Sequence, residues 1–178
     1  MLRRLILSLP VIALCVHSLA AQTPSASAPD SALACLPTTT LEEIPKAIDA
    51  AVSGPAGKDR ACLRELLLPE ARLAPITKAE DGSFAPHVLT LDGWTEAVKK
   101  RGDVVLYEHQ VKVSSEVYGH VAHLWSTYEL RLGKPDGSPD VRGINSIQAV
   151  YDGKRWRILE ILWQAETPDL PVPAKYLP

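Results

Sequence analysis

The chain has 178 residues, with 19 lysines and arginines against 21 aspartates and glutamates, and a formal charge of −2 at pH 7. Hydrophobic residues make up 46% of the sequence, which excludes a disordered chain, and the lack of a basic excess argues against nucleic acid as a partner. This length suits one compact domain preceded by a short extra segment.

The first 21 residues have the pattern of a secretory signal peptide. Arg3 and Arg4 precede an apolar run over residues 5–21, and Ala20 and Ala21 suit a small-residue cleavage site. A membrane anchor is the alternative, but the run is shorter than the roughly 20 residues that a spanning helix needs. We therefore expect residues 1–21 to be removed, leaving no stable membrane span and an exported protein, either periplasmic or secreted.

The segment that follows is a predicted tether. Residues 22–36 are mostly small, polar or proline, a composition typical of flexible linkers, and residues 37–178 are predicted to form a single domain.

Two cysteines, Cys35 and Cys62, follow the leader, which itself contains Cys15. In an oxidising compartment a disulfide between them is the alternative to two free, buried thiols. They have no nearby histidine and so do not supply the ligands of a metal site. The sequence also has no phosphate-binding glycine loop, and we predict neither a metal nor a cofactor.

Helical patterns occupy the front half of the predicted domain. Apolar residues recur every three or four positions over residues 41–52, where Thr40 and Glu43 fit a capping box. Asp59 suits the N-cap of a second helix that ends at Pro69, and Thr90 suits the cap of a third over residues 91–101.

In the back half of the chain the period changes from helical to two. Alternating apolar and polar residues predict four strands, which lie at 105–114, 120–131, 141–151 and 155–164. In the first of these the odd-numbered residues are expected to face inward. Helices followed by an antiparallel meander predict an α+β fold, with the helices on one face of a strongly curved sheet. Such a cone encloses a cavity that suits a small molecule.

Four stretches carry a resemblance to a known family. They read RGINSIQ at 142–148, YDGKRWRI at 151–158, AHLWSTYE at 122–129 and LPEARL at 68–73. Together they resemble the nuclear transport factor 2-like superfamily, especially exported bacterial members without assigned chemistry, and the resemblance covers residues 41–178. It implies the cone fold but no single activity. The superfamily includes steroid isomerases, polyketide cyclases, dehydratases, epoxide hydrolases and non-catalytic binding or dimerising domains.

The resemblance does not carry over a complete catalytic set. Steroid isomerases of this superfamily use a carboxylate base after the second helix, a tyrosine of the first helix and an acid on the third strand. Pro75 stands near the position of the base, Asn145 stands at that of the strand acid, and the first helix contains no tyrosine. For an arrangement like that of the dehydratases, the remaining candidates are His109, His123 and Asn145.

Six residues are expected to contact a ligand. Tyr107 and His109 follow from the odd-numbered face of the first strand, and Ser126 and Tyr128 from the more apolar face of the second. An amide on an apolar face needs a partner or a ligand, and Trp94 offers a large apolar surface. The set is Trp94, Tyr107, His109, Ser126, Tyr128 and Asn145.

The expected function is therefore that of an exported domain that binds a small, largely apolar molecule without an evident catalytic apparatus. One alternative is a lyase or isomerase acting through His109 and Asn145, with Tyr107 beside them. The other is a module that forms a homodimer through the outer face of the sheet, where Trp125 or Trp163 would serve.

Overall fold

The computed structural model describes residues 34–178. The predicted leader and most of the predicted tether lie outside the described residues. The helices are α1 (Ile44–Val52), α2 (Ala61–Leu66) and α3 (Leu91–Lys99), with short 3-10 turns at Leu41–Glu43 and Ala174–Tyr176. The strands are β1 (Leu67–Lys78), β2 (Phe84–Pro86), β3 (Leu106–Tyr118), β4 (Val121–Leu132), β5 (Val141–Tyr151) and β6 (Trp156–Ala165).

These strands form one open sheet in the order β2-β1-β6-β5-β4-β3. Neighbouring strands are antiparallel except β1 and β6, which run parallel. The α+β class predicted from the order of the elements is confirmed, and the parallel pair makes the sheet mixed. In this pair the first strand of the chain lies beside the last one and runs in the same direction.

The start of β1 differs from the prediction that Pro69 ends a helix. The helix stops at Leu66, and Pro69 lies inside the strand. The pairing of β1 with β6 is irregular between Leu67 and Arg72, so Pro69 lies outside the regular ladder. A residue without an N–H group is tolerated at such an interruption.

The core lies between the helices and the inner face of the sheet. Helix α1 buries an apolar stripe at helical spacing, as predicted, and the facing strands contribute small and branched apolar side chains. Full burial of each large aliphatic side chain contributes about 1.5–3 kcal/mol. The most deeply buried large aliphatic side chains, each at most 2% exposed, are Ile44, Ile48, Leu63, Leu67, Leu124, Ile147 and Ile158.

Helix ends are capped near the positions that the sequence indicates. Thr90 Oγ1 accepts a hydrogen bond from the N–H of Gly93 at 3.2 Å, and Asp59 Oδ1 accepts one from the N–H of Ala61 at 2.9 Å. Such contacts satisfy amide groups that have no partner within the helix.

The start of the described chain is attached covalently to α2. Cys35 and Cys62 form a disulfide, with their Cα atoms 5.2 Å apart. Of the helices within residues 34–178, none has the length and apolar character needed to cross a membrane.

A β-bulge in β3 decides which side chains enter the core. Gln110 pairs with Tyr128 while Lys112 pairs with Thr127, which leaves Val111 as an extra residue. An extra residue shifts the alternation of a strand by one position. Even-numbered residues of β3 therefore face inward before Val111, and odd-numbered residues face inward after it.

The prediction that odd-numbered residues face inward is wrong for the first half of β3. Leu106 is buried, whereas the side chain of His109 is 54% exposed. In the second half Val113 lies opposite the buried Ser126, so the predicted face is correct there. The sequence pattern alternates without a break through Val111 and gives no sign of the bulge.

Candidate functional site

A cavity of about 400 Å³ lies between the helices and the inner face of the sheet. Its volume is in the range of small-molecule sites. Most of its wall is apolar, and this wall comes from all three helices and from all the strands except β2. The apolar wall consists of Ile48, Val52, Leu63, Leu73, Pro75, Leu89, Trp94, Ala97, Val98, Leu106, Leu130, Val141, Ile161, Trp163 and Ala165.

Four polar side chains interrupt this apolar wall. They are Arg101, after the end of α3, Glu108 on β3, Tyr128 on β4 and Asn145 on β5. The cavity thus combines a large apolar surface with one base, one acid and two neutral hydrogen-bonding groups. Such a mixture orients a ligand as well as burying it.

Gln110 holds several of these groups in place. Its Nε2 donates a hydrogen bond to Glu108 Oε1 at 2.9 Å. Its Oε1 accepts hydrogen bonds from Asn145 Nδ2 at 3.1 Å and from Ser126 Oγ at 2.5 Å. A single amide therefore connects polar side chains of three adjacent strands.

The Glu108 carboxyl titrates near neutrality. Burial and, to a lesser extent, the neighbouring Asp49 carboxyl raise its pKa to about 7, against the opposing effects of Gln110 and Arg101. A carboxyl with such a pKa exists in both protonation states near pH 7. It can then either accept or donate a proton, as a general acid or base must.

Asp49 of α1 is a second carboxyl with a raised pKa. Burial raises the pKa to about 6, although Asp49 Oδ1 accepts a hydrogen bond from the N–H of Gln110 at 3.0 Å. Asp49 does not line the cavity. It lies beside the free edge of β3, where His109 Nδ1 approaches its Oδ2 to 3.7 Å.

Tyr128 packs against a glycine that leaves room for it. Burial raises the pKa of its phenol above the ordinary value, and the nearby Glu108 adds to this, so the hydroxyl stays protonated and can donate a hydrogen bond. A Cβ atom on Gly143 would stand 2.7 Å from the Tyr128 hydroxyl and would also clash with the backbone of β6. The absence of a side chain at residue 143 thus allows Tyr128 its position.

The structure places three of the six predicted ligand contacts on the cavity wall. They are Trp94, Tyr128 and Asn145. Ser126 faces inward as predicted, but it is fully buried and reaches the polar network only through Gln110.

Tyr107 and His109 do not line this cavity. Because the bulge lies after them, both side chains point to the opposite side of β3 from Leu106 and Glu108. The pair of candidates His109 and Asn145 is therefore not brought together, and Glu108 occupies the place expected for the histidine. His123 also lies elsewhere, with Nε2 3.0 Å from Ser146 Oγ on the outer face.

The alternation predicted an outward face for Glu108, as for the other even-numbered residues of the strand, and no sequence pattern singled out Arg101. In the sequence, Leu106, Glu108 and Gln110 share one face of the strand. The structure shows that this face is the inner one, because Gln110 lies opposite Tyr128 in the β3–β4 register. That register depends on the bulge, so the inner face cannot be identified from the alternation alone.

The C-terminal segment lies across the outer face of the sheet. Thr127 Oγ1 donates a hydrogen bond to the carbonyl of Tyr176 at 2.6 Å, and the rings of Trp125 and Tyr176 are 5.9 Å apart. A second groove of about 370 Å³ lies between this segment and strands β1, β4, β5 and β6. A homodimer through this face stays a prediction. Trp125 lines the outer groove, and Trp163 lines both this groove and the inner cavity.

Among residues 34–178, no cluster of three or more histidine, cysteine, aspartate or glutamate side chains has the geometry of a metal site.

Comparison with models of protein families and with curated proteins finds no match. Solved structures do match. One is a nuclear transport factor 2-like protein of unknown function from Silicibacter pomeroyi, at 16% identity and a TM-score of 0.47, covering 71% of this chain and 92% of that one. Another is a nuclear transport factor 2-like protein of unknown function from Shewanella baltica, at 9% identity and a TM-score of 0.48, covering 71% and 91%.

A third match is a protein of unknown function with a cystatin-like fold from Nostoc punctiforme. It has 12% identity and a TM-score of 0.49, and the match covers 76% of this chain and 98% of that one. These three solved structures are thus described as nuclear transport factor 2-like or cystatin-like proteins.

Proposed function

We propose that this chain binds a small, largely apolar molecule in the cavity between the helices and the inner face of the sheet. The observation that carries the proposal is an apolar space of about 400 Å³ whose wall is interrupted by Glu108, Tyr128 and Asn145. The apolar wall supplies affinity by removing ligand surface from water, and the polar groups orient the ligand.

A cavity-blocking variant tests this proposal. Ala97 lines the cavity but is itself exposed, so Ala97→Trp narrows the entrance without overpacking the core. Isothermal titration with apolar alcohols and ketones should show at least tenfold weaker binding by this variant. Ala50→Trp is the control, because Ala50 is exposed on α1 and does not line the cavity.

Thermal unfolding of both variants confirms that they are folded. Equal affinities of Ala97→Trp, Ala50→Trp and the unchanged protein would contradict binding in this cavity.

Acid–base catalysis is the second candidate function. It is favoured by a carboxyl group, Glu108, whose pKa is raised to about 7 and which shares the cavity with two hydrogen-bond donors, Asn145 and Tyr128. In an isomerase or lyase, Glu108 would move a proton at a carbon next to a carbonyl. The two donors would then stabilise negative charge on the carbonyl oxygen.

Proton exchange provides the test without a known substrate. Apolar cyclic ketones incubated with the protein in D₂O should exchange the hydrogens next to the carbonyl, as followed by NMR. Glu108→Gln should abolish the exchange, whereas Glu116→Gln, an exposed position of the same strand, should preserve it. Exchange that survives in Glu108→Gln assigns the chemistry to another group.

We also propose that the protein is exported after removal of residues 1–21. The arginines followed by an apolar run support this, and so does a disulfide between Cys35 and Cys62, since disulfides persist in oxidising compartments. Expression of the full chain in a bacterium, followed by mass spectrometry of the periplasmic fraction, should show a chain that begins at Gln22. A protein that keeps its first 21 residues in the cytoplasm would overturn the proposal.

A further inference from the structure

Arg101 differs from the other arginines that the structure describes. It is half-buried and lines the cavity, yet within residues 34–178 its guanidinium has no carboxylate within 4.0 Å and no hydrogen bond. Every other described arginine that is not fully exposed has a hydrogen-bond partner. These are Arg60, Arg131, Arg142, Arg155 and Arg157.

This guanidinium loses hydration without receiving a hydrogen bond or a direct ion pair in return. Burial lowers the pKa of Arg101, which shows that the charged form is partly removed from water. A guanidinium has five N–H donors arranged in a plane that matches a carboxylate. An anionic group in the cavity would satisfy those donors.

Glu108 does not serve as that partner. The two residues influence each other through space, but their charged atoms are farther apart than 4.0 Å, and Glu108 Oε1 is occupied by Gln110 Nε2. The guanidinium is therefore left facing the cavity, with an acid of the protein nearby but not paired to it.

We propose that the ligand of the cavity is a monocarboxylic acid with an apolar body, whose carboxylate pairs with the Arg101 guanidinium. This inference rests on the proposed binding function and names the class of ligand. The apolar body would lie along the wall that includes Trp94, Leu73 and Trp163. A dianion such as a phosphate monoester fits less well, because among residues 34–178 Arg101 is the one basic side chain of the cavity wall and the acid Glu108 shares that wall.

The charges around Glu108 make this binding depend on pH. The groups that face it are Asp49 from α1, Arg101 after α3, and Tyr128 from β4, with His109 beyond Asp49. With a pKa of about 7, Glu108 is neutral at pH 6 and negative at pH 8. A carboxylate ligand stays ionised throughout this range, so it should bind more tightly at pH 6.

The test compares three acids with their neutral alcohols by isothermal titration. The pairs are 2-naphthoate and 2-naphthalenemethanol, 4-phenylbutyrate and 4-phenylbutanol, and decanoate and decanol. In at least one pair, the acid should bind at least tenfold more tightly than the alcohol at pH 6, and the ratio should fall severalfold at pH 8.

Arg101→Gln should bring this ratio close to one, because the acid loses its ion pair and should lose much more affinity than the alcohol does. Arg64→Gln is the matched control, because Arg64 is exposed and paired with Asp92 away from the cavity, and it should keep the wild-type ratio. Thermal unfolding checks that both variants are folded.

Two outcomes separate this inference from the proposed function. If alcohols bind but the acids show no preference at pH 6, or if Arg101→Gln weakens acid and alcohol equally, the carboxylate pairing is overturned and binding in the cavity stands. If none of the six compounds binds, both the proposed function and this inference fail.

Discussion

Gln110 Oε1 accepts a hydrogen bond from Asn145 Nδ2 at 3.1 Å, although 35 positions separate the two residues in the chain. The bond reaches from β3 to β5 across β4, whose Ser126 donates to the same oxygen. Both side chains lie on the inner face, where Asn145 is 5% exposed and Ser126 is fully buried. The amide of Gln110 is therefore a structural requirement of the polar end of the cavity.

Gln110→Met should destabilise the protein by about 1–3 kcal/mol, because Asn145 and Ser126 would each keep a buried polar group without an acceptor. Urea denaturation at pH 6 measures the change in the free energy of unfolding. The pKa of Glu108 should rise as well, since the hydrogen bond that favours its charged form is lost. NMR titration of the carboxyl carbon measures that shift.

The control for this variant is Gln148→Met, a half-buried glutamine of β5 that faces the other side of the sheet. Its loss should cost well under 1 kcal/mol. Equal losses for the two variants would show that the network of Gln110 has no special role.

The free energy of unfolding should fall as the pH rises from about 4 to about 7. Glu108 and Asp49 have pKa values of about 7 and about 6 in the folded protein, against ordinary values of 4.5 and 3.8. In that range the folded state holds protons that the unfolded state has released, so raising the pH favours unfolding. Chemical denaturation at intervals of half a pH unit measures this slope.

Glu108→Gln removes about half of this dependence, since Asp49 supplies the rest. At pH 8 the variant should be more stable than the unchanged protein by at most about 3.5 kcal/mol, since the pKa of Glu108 rises from 4.5 to about 7 and one pKa unit corresponds to about 1.4 kcal/mol. Glu116→Gln on the exposed part of β3 should follow the unchanged protein. If the free energy of unfolding of the unchanged protein stays constant between pH 4 and pH 7, the raised pKa values are contradicted.

Gly143→Ala should destabilise the protein by about 1–3 kcal/mol or more, because the added Cβ would collide with the Gln164 carbonyl, the Tyr128 hydroxyl and the Ala165 Cα. Tyr128 would have to move, so ligand affinity should fall together with stability. Gly57→Ala is the matched control, since nothing lies within 4 Å of a Cβ atom there. Thermal unfolding measures the stability of both variants, and isothermal titration measures their ligand affinity. Equal effects of the two substitutions would contradict the prediction.

Removing the disulfide should destabilise the protein by about 3.5 kcal/mol, the chain-entropy value for a loop closed over 27 positions. The double variant Cys35→Ser, Cys62→Ser should unfold at a lower urea concentration than the oxidised protein. Its unfolding should not change with reductant, whereas the unchanged protein should approach the variant when reduced. An oxidised protein that is insensitive to reductant would contradict a structural role of this bond.

Local patterns predicted much of this fold, because they depend on neighbours in the chain. The strand Val141–Tyr151 was predicted with both ends correct, and the cap at Thr90 is present, since both follow from alternation and from local hydrogen bonding. The parallel pairing of β1 with β6 joins distant segments through backbone groups, and no residue type marks it.

The candidate site was predictable in part for the same reason. Tyr128 and Asn145 lie on strands that alternate without interruption, so their inward facing follows from the pattern. The acid of the cavity did not follow, because its position depends on one unpaired residue in β3. An apolar valine at that point continues the alternation and hides the change of face.

That unpaired residue, Val111, sets the phase of the whole strand. A deletion of Val111 would make the alternation of β3 continuous without turning either half, because Gln110 would stay inward and Lys112 would stay outward. The acid of the cavity would therefore keep its place. In a chain without this residue, the inward face of both halves would follow directly from the order of apolar and polar residues.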